Sequence, residues 1–279
     1  MRYGFILPGG TGPEQLAQAK LAEESGWDAV FVWEAAYGVD AWSLLAAMAQ
    51  ATDNVLLGTM LTPLPWRRPW KVASQAATLQ ELSGGRAVLA VGLGAISTGL
   101  GRTGEVLDRA ERAELLDEGI DLIRSLWGGD MTFKSKHFDV DLSGREDLAE
   151  VLAAPLDPPI PIWCVGAWPR PKSMRRIVRC EGLLPVVMEG GGFRTTYPDD
   201  IREMAGWLRA NGAPANIDII MEGETKSGAD TKAVQKWADV GCTWWLESRW
   251  EMPHHSKERM NLVRRRIKAG PPRLPADRT

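Results

Sequence analysis

Two carboxylates stand where apolar runs stop: Glu34 closes "DAVFVWE" (28–34) and Glu247 sits at the end of "CTWWLES" (242–248). A carboxylate at the end of an apolar strand gains little from packing. It is suited to hold or move a proton, or it pairs with an arginine. A third run, "RAVLAVGLG" (86–94), ends on Gly92-Leu93-Gly94, a backbone bare of Cβ atoms on either side of one leucine. A flat ring or its side chain can approach such a backbone closely. A fourth, "VGAWPRPK" (165–172), passes from strand into helix, where free N–H groups and the helix dipole suit a phosphate, each dipole contact contributing ~0.3–1 kcal/mol. Arg170 and Lys172 add charge there, and "EGETKSG" (222–228) is an alternative phosphate loop. The histidines are His137, read as structural, and the loop pair His254-His255; no metal-ligand spacing and no Ser/His/Asp grouping appears.

The elements that carry these residues follow one rhythm. Strand-like runs at 2–7, 28–34, 54–61, 86–94, 161–167, 183–187, 216–224 and 242–248 alternate with helical patterns at 13–26, 40–52, 69–84, 105–128, 171–182, 198–212, 230–241 and 257–270. Pro13 at a helix start and Gly26 at its stop are the expected punctuation. Eight strands alternating with eight helices predict a single α/β domain, a (β/α)₈ TIM barrel over 1–270, in preference to a doubly wound sheet. An insertion at about 129–158 contains "MTFKSKHFDVDL", whose period-2 alternation predicts a small hairpin, and 271–279 is expected to be a disordered tail. In such a barrel the ligand sits at the C-terminal ends of the strands, where the residues above fall.

"GLGRTG" (99–104) matches the dinucleotide fingerprint by letter. It is separated from its strand by "AIST", and the acids about 20 residues on lie inside a helix, so it reads as a loop at the barrel mouth. The 279 residues carry a formal net charge of −3, which argues against a nucleic-acid surface. Apolar runs reach nowhere near the ~18 residues of a membrane span, and the N-terminal apolar run is too short for a signal peptide. Three cysteines without a C-x-x-C fit reduced thiols in a cytoplasmic protein.

"LGTMLTPLPWRRPWKVASQAATLQELSGGRAVLAVGLG" (57–94) resembles the third and fourth βα units of the bacterial luciferase-like flavin- or F420-dependent oxidoreductases. "RAERAELLDEGIDLIRSLWGG" (109–129), "PPIPIWCVGAWPRPKSMRRIVRCEGLLP" (158–185) and the C-terminal "GCTWWLES" and "RRRIKAGPP" extend the likeness over nearly the whole chain. The resemblance implies FMN or coenzyme F420 as cofactor and a homodimer. It places the flavin phosphate near Gly166, Ala167 and Trp168, and a bulge, often with a cis non-proline peptide, at "GTML" (58–61), making Thr59 and Met60 candidates against the ring. Many members of the family carry a histidine after strand two; this chain has "WEAAYGVDAW" there.

Trp33, Trp66, Trp70, Trp168, Trp245 and Trp250, among 13 tryptophans, fall at or just past strand ends, and an aromatic mouth suits an isoalloxazine and an uncharged substrate. The leading expectation is therefore an FMN-dependent monooxygenase supplied by a partner flavin reductase and acting on an apolar organic substrate. An F420-dependent hydride-transfer enzyme is the alternative, and a non-catalytic flavin-binding protein the reading from another class. Glu34 and Glu247 are the candidate catalytic groups. Thr59, Met60, Gly92, Leu93, Gly94, Gly166, Ala167, Trp168 and Arg170 are the candidate cofactor contacts.

Overall fold

The computed structural model describes residues 1–99, 102–144, 158–250 and 256–277. Strands β1 (Arg2–Leu7), β2 (Ala29–Val32), β3 (Leu56–Thr59), β4 (Ala87–Gly92), β5 (Ile162–Trp168), β6 (Gly182–Glu189), β7 (Asp218–Gly223) and β8 (Trp244–Glu247) pair in parallel in chain order. β8 pairs back onto β1, Trp244 opposite Arg2 and Glu247 opposite Phe5, and the ring closes. Helices α1 (Gly12–Glu24), α2 (Ala41–Ala51), α3 (Pro69–Leu82), α4 (Arg109–Trp127), α5 (Pro171–Ile177), α6 (Pro198–Ala210), α7 (Thr231–Ala238) and α8 (Lys257–Lys268) follow their strands in turn. This is the TIM barrel that the sequence rhythm predicts.

Local chemistry sets the boundaries. Thr11 and Glu14 form a capping box that starts α1, and Asp40 accepts from the Ser43 N–H at 2.7 Å to start α2. α4 begins at Arg109, later than the helical pattern at 105 suggests, because Asp108 takes the Glu111 N–H at 2.8 Å. α3 stops at "SGGR", where Gly84 and Gly85 both adopt positive φ (+65° and +92°), a region other L residues enter at a cost. Arg86 then turns back to donate to the carbonyls of Ala49 and Thr52 at the end of α2 (3.0 and 2.7 Å) and of Val55 at 2.8 Å. One guanidinium thus satisfies the carbonyls that a helix end leaves open.

Inside the ring, alternate residues of each strand fill the lower half. Trp163 and Trp244 meet edge to face with centroids 5.2 Å apart, and Phe31 packs on Trp163 at 5.4 Å. Ile6, Val88, Ala90, Ile220 and Leu246 complete this buried interior cluster, and Arg2 lies over Trp244 at 4.3 Å. Glycine makes room for two of these rings: a Cβ on Gly182 would run into Trp163, and one on Gly58 into the Val88 carbonyl oxygen and against Phe31. The opposite strand faces pack against the helices in a second, larger cluster.

The expected hairpin is present, Thr132–Lys134 against Asp139–Asp141, and His137 fastens it to α4 through Glu114 (3.0 Å) and Glu118 (2.8 Å), a structural role. Residues 145–157 of the insertion, Leu100-Gly101 of "GLGRTG" and the pair His254-His255 lie outside the described residues. The expectation of a disordered tail is corrected as far as Asp277. Leu274 is buried and its N–H donates to the Tyr3 hydroxyl at 3.0 Å; that hydroxyl donates to Asp277 at 2.6 Å, and Asp277 also pairs with the N-terminal ammonium at 2.7 Å. The apolar and aromatic content of "PPRLPADRT" is low, so the sequence hides that this segment packs on the outer core beside Tyr3. No helix among the described residues is long and apolar enough to cross a membrane.

Because the space beside Gly58 is closed by backbone rather than by a movable side chain, Gly58→Ala should cost about 1–3 kcal/mol. Chemical denaturation reads this directly, and an unchanged midpoint would show the interior to be looser than described.

Candidate active site

Above the indole plug the barrel opens into a cavity of about 530 Å³ at the C-terminal ends of the strands. Its floor is apolar, built from Met60, Leu61, Val165, Leu184, Val186 and Ile220; Trp33, Phe193 and Trp250 form the rim, and Glu34, Glu222 and Arg194 are the charged groups in the wall. Cavities of this size and character hold small organic ligands and cofactors.

Met60 and Leu61 reach the cavity through an irregularity at the end of β3. The chain leaves β3 at Thr59, crosses the mouth as Met60-Leu61, and returns at Thr62-Pro63 to pair with Val91-Gly92. The Met60–Leu61 peptide is cis, as the resemblance implied for this bulge. Thr59 itself is fully buried and hydrogen-bonded to Thr62 at 2.9 Å, so of the two candidates Met60 faces the cavity and Thr59 anchors the turn.

Glu34 stands at the cavity wall just past β2. Its Oε2 accepts from the Thr62 hydroxyl at 2.7 Å and from Trp42 Nε1 at 3.3 Å, and its Oε1 pairs with Arg67, which also donates to Gln75 at 2.8 Å. Burial pushes the carboxyl above its ordinary pKa; Arg67, Thr62 and Trp42 pull it back and Asp40 adds to the rise.

Glu222 is the site group that sequence reading missed as an acid. It lies one step past Ile220 on the inward face of β7, a solvent-exposed side chain at the cavity wall. The protein atoms around the carboxyl raise its pKa, and the Trp250 indole N–H, 3.4 Å away, opposes the rise. Arg194 faces the same space with its guanidinium held by Asp200 through two bonds of 2.7 Å. The only signal in the sequence was "MEGE", where two acids alternate with glycine and the strand phase decides which turns inward.

Several expected contacts have other duties. Glu247 turns outward, fully buried between β8 and α8, where it accepts from Thr225 N–H (3.0 Å) and hydroxyl (2.7 Å) and pairs with Arg249 (2.9 Å) and Arg266 (3.2 Å). It is the centre of a structural ion-pair network and not part of the cavity wall, because the inward phase of β8 belongs to Trp244 and Leu246. Gly94 borders the cavity, but a Cβ there would strike Trp66 and Pro63; its φ is +77°. Gly92 leaves room for Leu61 and Val165. Leu93 packs on the outer core, and its carbonyl and that of Gly94 both accept from Arg112 at 3.0 Å, a buried arginine that sequence reading also missed. The missing Cβ of Gly166 leaves space for Leu183 and α5, the Ala167 N–H is taken by the Ser173 hydroxyl at 2.9 Å, Trp168 packs on the outer core, and Arg170 is exposed at the start of α5, a helix of only seven residues. The phosphate expectation at β5 therefore gains no free amide at Ala167. In the alternative loop, Gly228 is pressed against the backbone of Ala269 and Thr225 serves Glu247. Of the tryptophans, Trp33 and Trp250 line the cavity and Trp245 lies in the outer core.

An apolar cavity with acids at the C-terminal ends of the strands of a closed parallel barrel is the place where barrels of this kind hold their ligands. Residues 4–277 match the model of the luciferase-like monooxygenase family; the chain belongs to that family and is an oxidoreductase. A protein of Mycobacterium tuberculosis provisionally named a coenzyme F420-dependent oxidoreductase is 30% identical over 67% of this chain, although that match spans only 55% of the relative's own length. An F420-dependent glucose-6-phosphate dehydrogenase of Nakamurella multipartita is 28% identical over 93% of this chain and 85% of its own. In fold, the chain is similar to an F420-dependent secondary alcohol dehydrogenase solved with an F420-acetone adduct, with a TM-score of 0.66 and 22% identity over 97% of this chain and 84% of that one.

Two measurements separate the acids. Removing the charge of Glu247 leaves Arg249 and Arg266 without their shared partner, so Glu247→Gln should lower stability by about 3–5 kcal/mol in denaturant unfolding, while ligand affinity of the folded fraction stays put. Glu222→Gln should act oppositely. The folded pKa of Glu222 lies above its unfolded value, so the folded state favours the neutral form and loses stability as pH rises through the folded pKa. Because the side chain is solvent-exposed the effect is small: the variant should melt slightly higher than wild type at pH 7 and equally below about pH 4, the ordinary carboxylate range; a lower melting point at pH 7 would refute the assignment.

Proposed function

We propose that this protein is a single-domain, F420-dependent oxidoreductase that moves hydride between the cofactor and a small organic carbonyl or alcohol. The observation that carries the reading is the agreement of the relatives: those from Mycobacterium tuberculosis and Nakamurella multipartita both bear F420 in their names, and neither is named a monooxygenase. The order of the two expectations from the sequence is thereby reversed, and the FMN monooxygenase with its partner reductase becomes the second reading. Cytoplasmic residence, supported by three buried free thiols, and a homodimeric assembly belong to the same proposal.

The residues present fit a planar, largely apolar ring. Met60 and Leu61 offer one wall, and Val165, Leu184 and Ile220 line the rest of a cavity with few competing polar groups. When bound, F420 supplies the hydride at C5 of its deazaflavin ring. The protein's share is orientation by the apolar walls, exclusion of water, and a proton. Glu222 is the group for that proton. Its side chain lines the cavity with the Trp250 indole N–H as its hydrogen-bond partner, and its pKa is raised above the ordinary carboxylate value. Glu34, its oxygens already engaged by Thr62, Trp42 and Arg67, is the less free of the two acids.

Cofactor fluorescence titration with F420 and, separately, FMN tests the reading. F420 should bind below about 100 μM, roughly −5.5 kcal/mol. Glu222→Gln should then lower kcat by about 10²–10⁴-fold with little change in F420 affinity. Binding of FMN alone would overturn the proposal in favour of the monooxygenase.

A further inference from the structure

The bulge that carries Met60 and Leu61 into the cavity is pinched at its base by side chains rather than by strand pairing alone. Thr59 and Thr62 flank the two cavity residues, both fully buried, with their hydroxyls 2.9 Å apart. Thr59 lies 3.4 Å from the Ala90 carbonyl on β4, and Thr62 donates at 2.7 Å to Glu34 beyond β2. Glu34 is tied in turn to Arg67, and Arg67 to Gln75 on α3. Thr62 gives its proton to Glu34 and Thr59 gives its own to Thr62, so the chain of bonds runs through both ends of the bulge to the end of β2 and on to α3. Nothing in fold stability requires a carboxylate at its centre: a buried charge is costly to desolvate, and an apolar residue of like volume often serves packing as well. A charge kept at this point is better explained by what it holds still.

We propose that Glu34 and Thr62 are positioning residues: they clamp the base of the Met60-Leu61 bulge and so set the wall against which the cofactor ring lies. This rests on the assignment of that cavity to the cofactor. It also revises the role of Glu34, which acts through Thr62 on the bulge instead of exchanging a proton with substrate. Both oxygens of the carboxylate are occupied, one by Thr62 and Trp42 and the other by Arg67, and Asp40 is the neighbouring acid. Charge-assisted bonds of this kind are short and directional, which is what a clamp needs.

The test compares Thr62→Val, which keeps the shape and removes the hydroxyl, with Thr62→Ser, which keeps the hydroxyl. The first readout needs no cofactor: the ¹³C signal of the Met60 ε-methyl, assigned by Met60→Leu, reports the conformation of the bulge. Thr62→Val and Glu34→Gln should shift or broaden that signal, and Thr62→Ser should restore it. The second readout is F420 affinity by fluorescence, expected to fall about tenfold or more in Thr62→Val and to recover in Thr62→Ser. A Met60 signal unchanged in Thr62→Val overturns the clamp. A shifted signal with unchanged F420 affinity overturns its role toward the cofactor. A wild-type protein that binds no F420 while its Met60 signal responds to Thr62→Val overturns the cofactor assignment and leaves the clamp standing as a device for whatever the cavity takes.

Discussion

An eight-stranded ring is just wide enough for side chains to fill, and everything at the mouth depends on how that filling is done. Here two indoles and a phenyl ring occupy the lower interior, and glycines on β3 and β6 leave the room they need. Bulk spent low in the barrel leaves the upper layer to Met60, Leu61, Val165 and Leu184, above Ile220. The cavity is thus the complement of the plug. A smaller filling below would let the upper side chains sink, and the mouth would lose its floor.

The same geometry sorts the acids. Along each strand, neighbours turn alternately toward the ring axis and toward the helices. On β8, Trp244 and Leu246 face inward, so Glu247 must face α8, and there it can only be stable with Arg249 and Arg266 beside it. On β7 the register sets Glu222 opposite Leu246 and Gly223 opposite Glu247, so it is Glu222 that turns into the mouth. One acid is bound to two arginines and serves the fold; the other stands exposed in the cavity wall with the Trp250 indole beside it.

That alternation is what the sequence could not display. The βα rhythm, the caps at Thr11 and Asp40, and the stop at "SGGR" were legible because each rests on local chemistry within a few residues. The bulge at Thr59-Met60 was legible by resemblance. But strands of a parallel barrel are covered on both faces, so "CTWWLES" and "NIDIIMEGE" carry no period-2 pattern from which to read phase. Glu247 and Glu222 look equivalent until the register is known. Arg112 was hidden for a related reason: on an amphipathic helix it resembles any surface arginine, and only the fold brings it beneath Trp66 at 5.2 Å and onto the Leu93 and Gly94 carbonyls.

The bare backbone at Gly92-Leu93-Gly94 reaches the cavity through Gly94. Its missing side chains are used first by the protein itself: Leu61 and Val165 fill the space over Gly92, and Trp66 lies against Gly94. Trp66 is held by the Val106 carbonyl at 2.7 Å and covered by Arg112, so the glycines seat an aromatic from the neighbouring loop. The consequence reaches the cavity indirectly. With Trp66 seated, the chain from Thr62 to Arg67 has a fixed course, Arg67 is delivered to Glu34, and Leu61 is left lining the cavity. Glycines at a barrel mouth can therefore shape a site without touching what binds there, by letting one loop lie close enough to another to hold it.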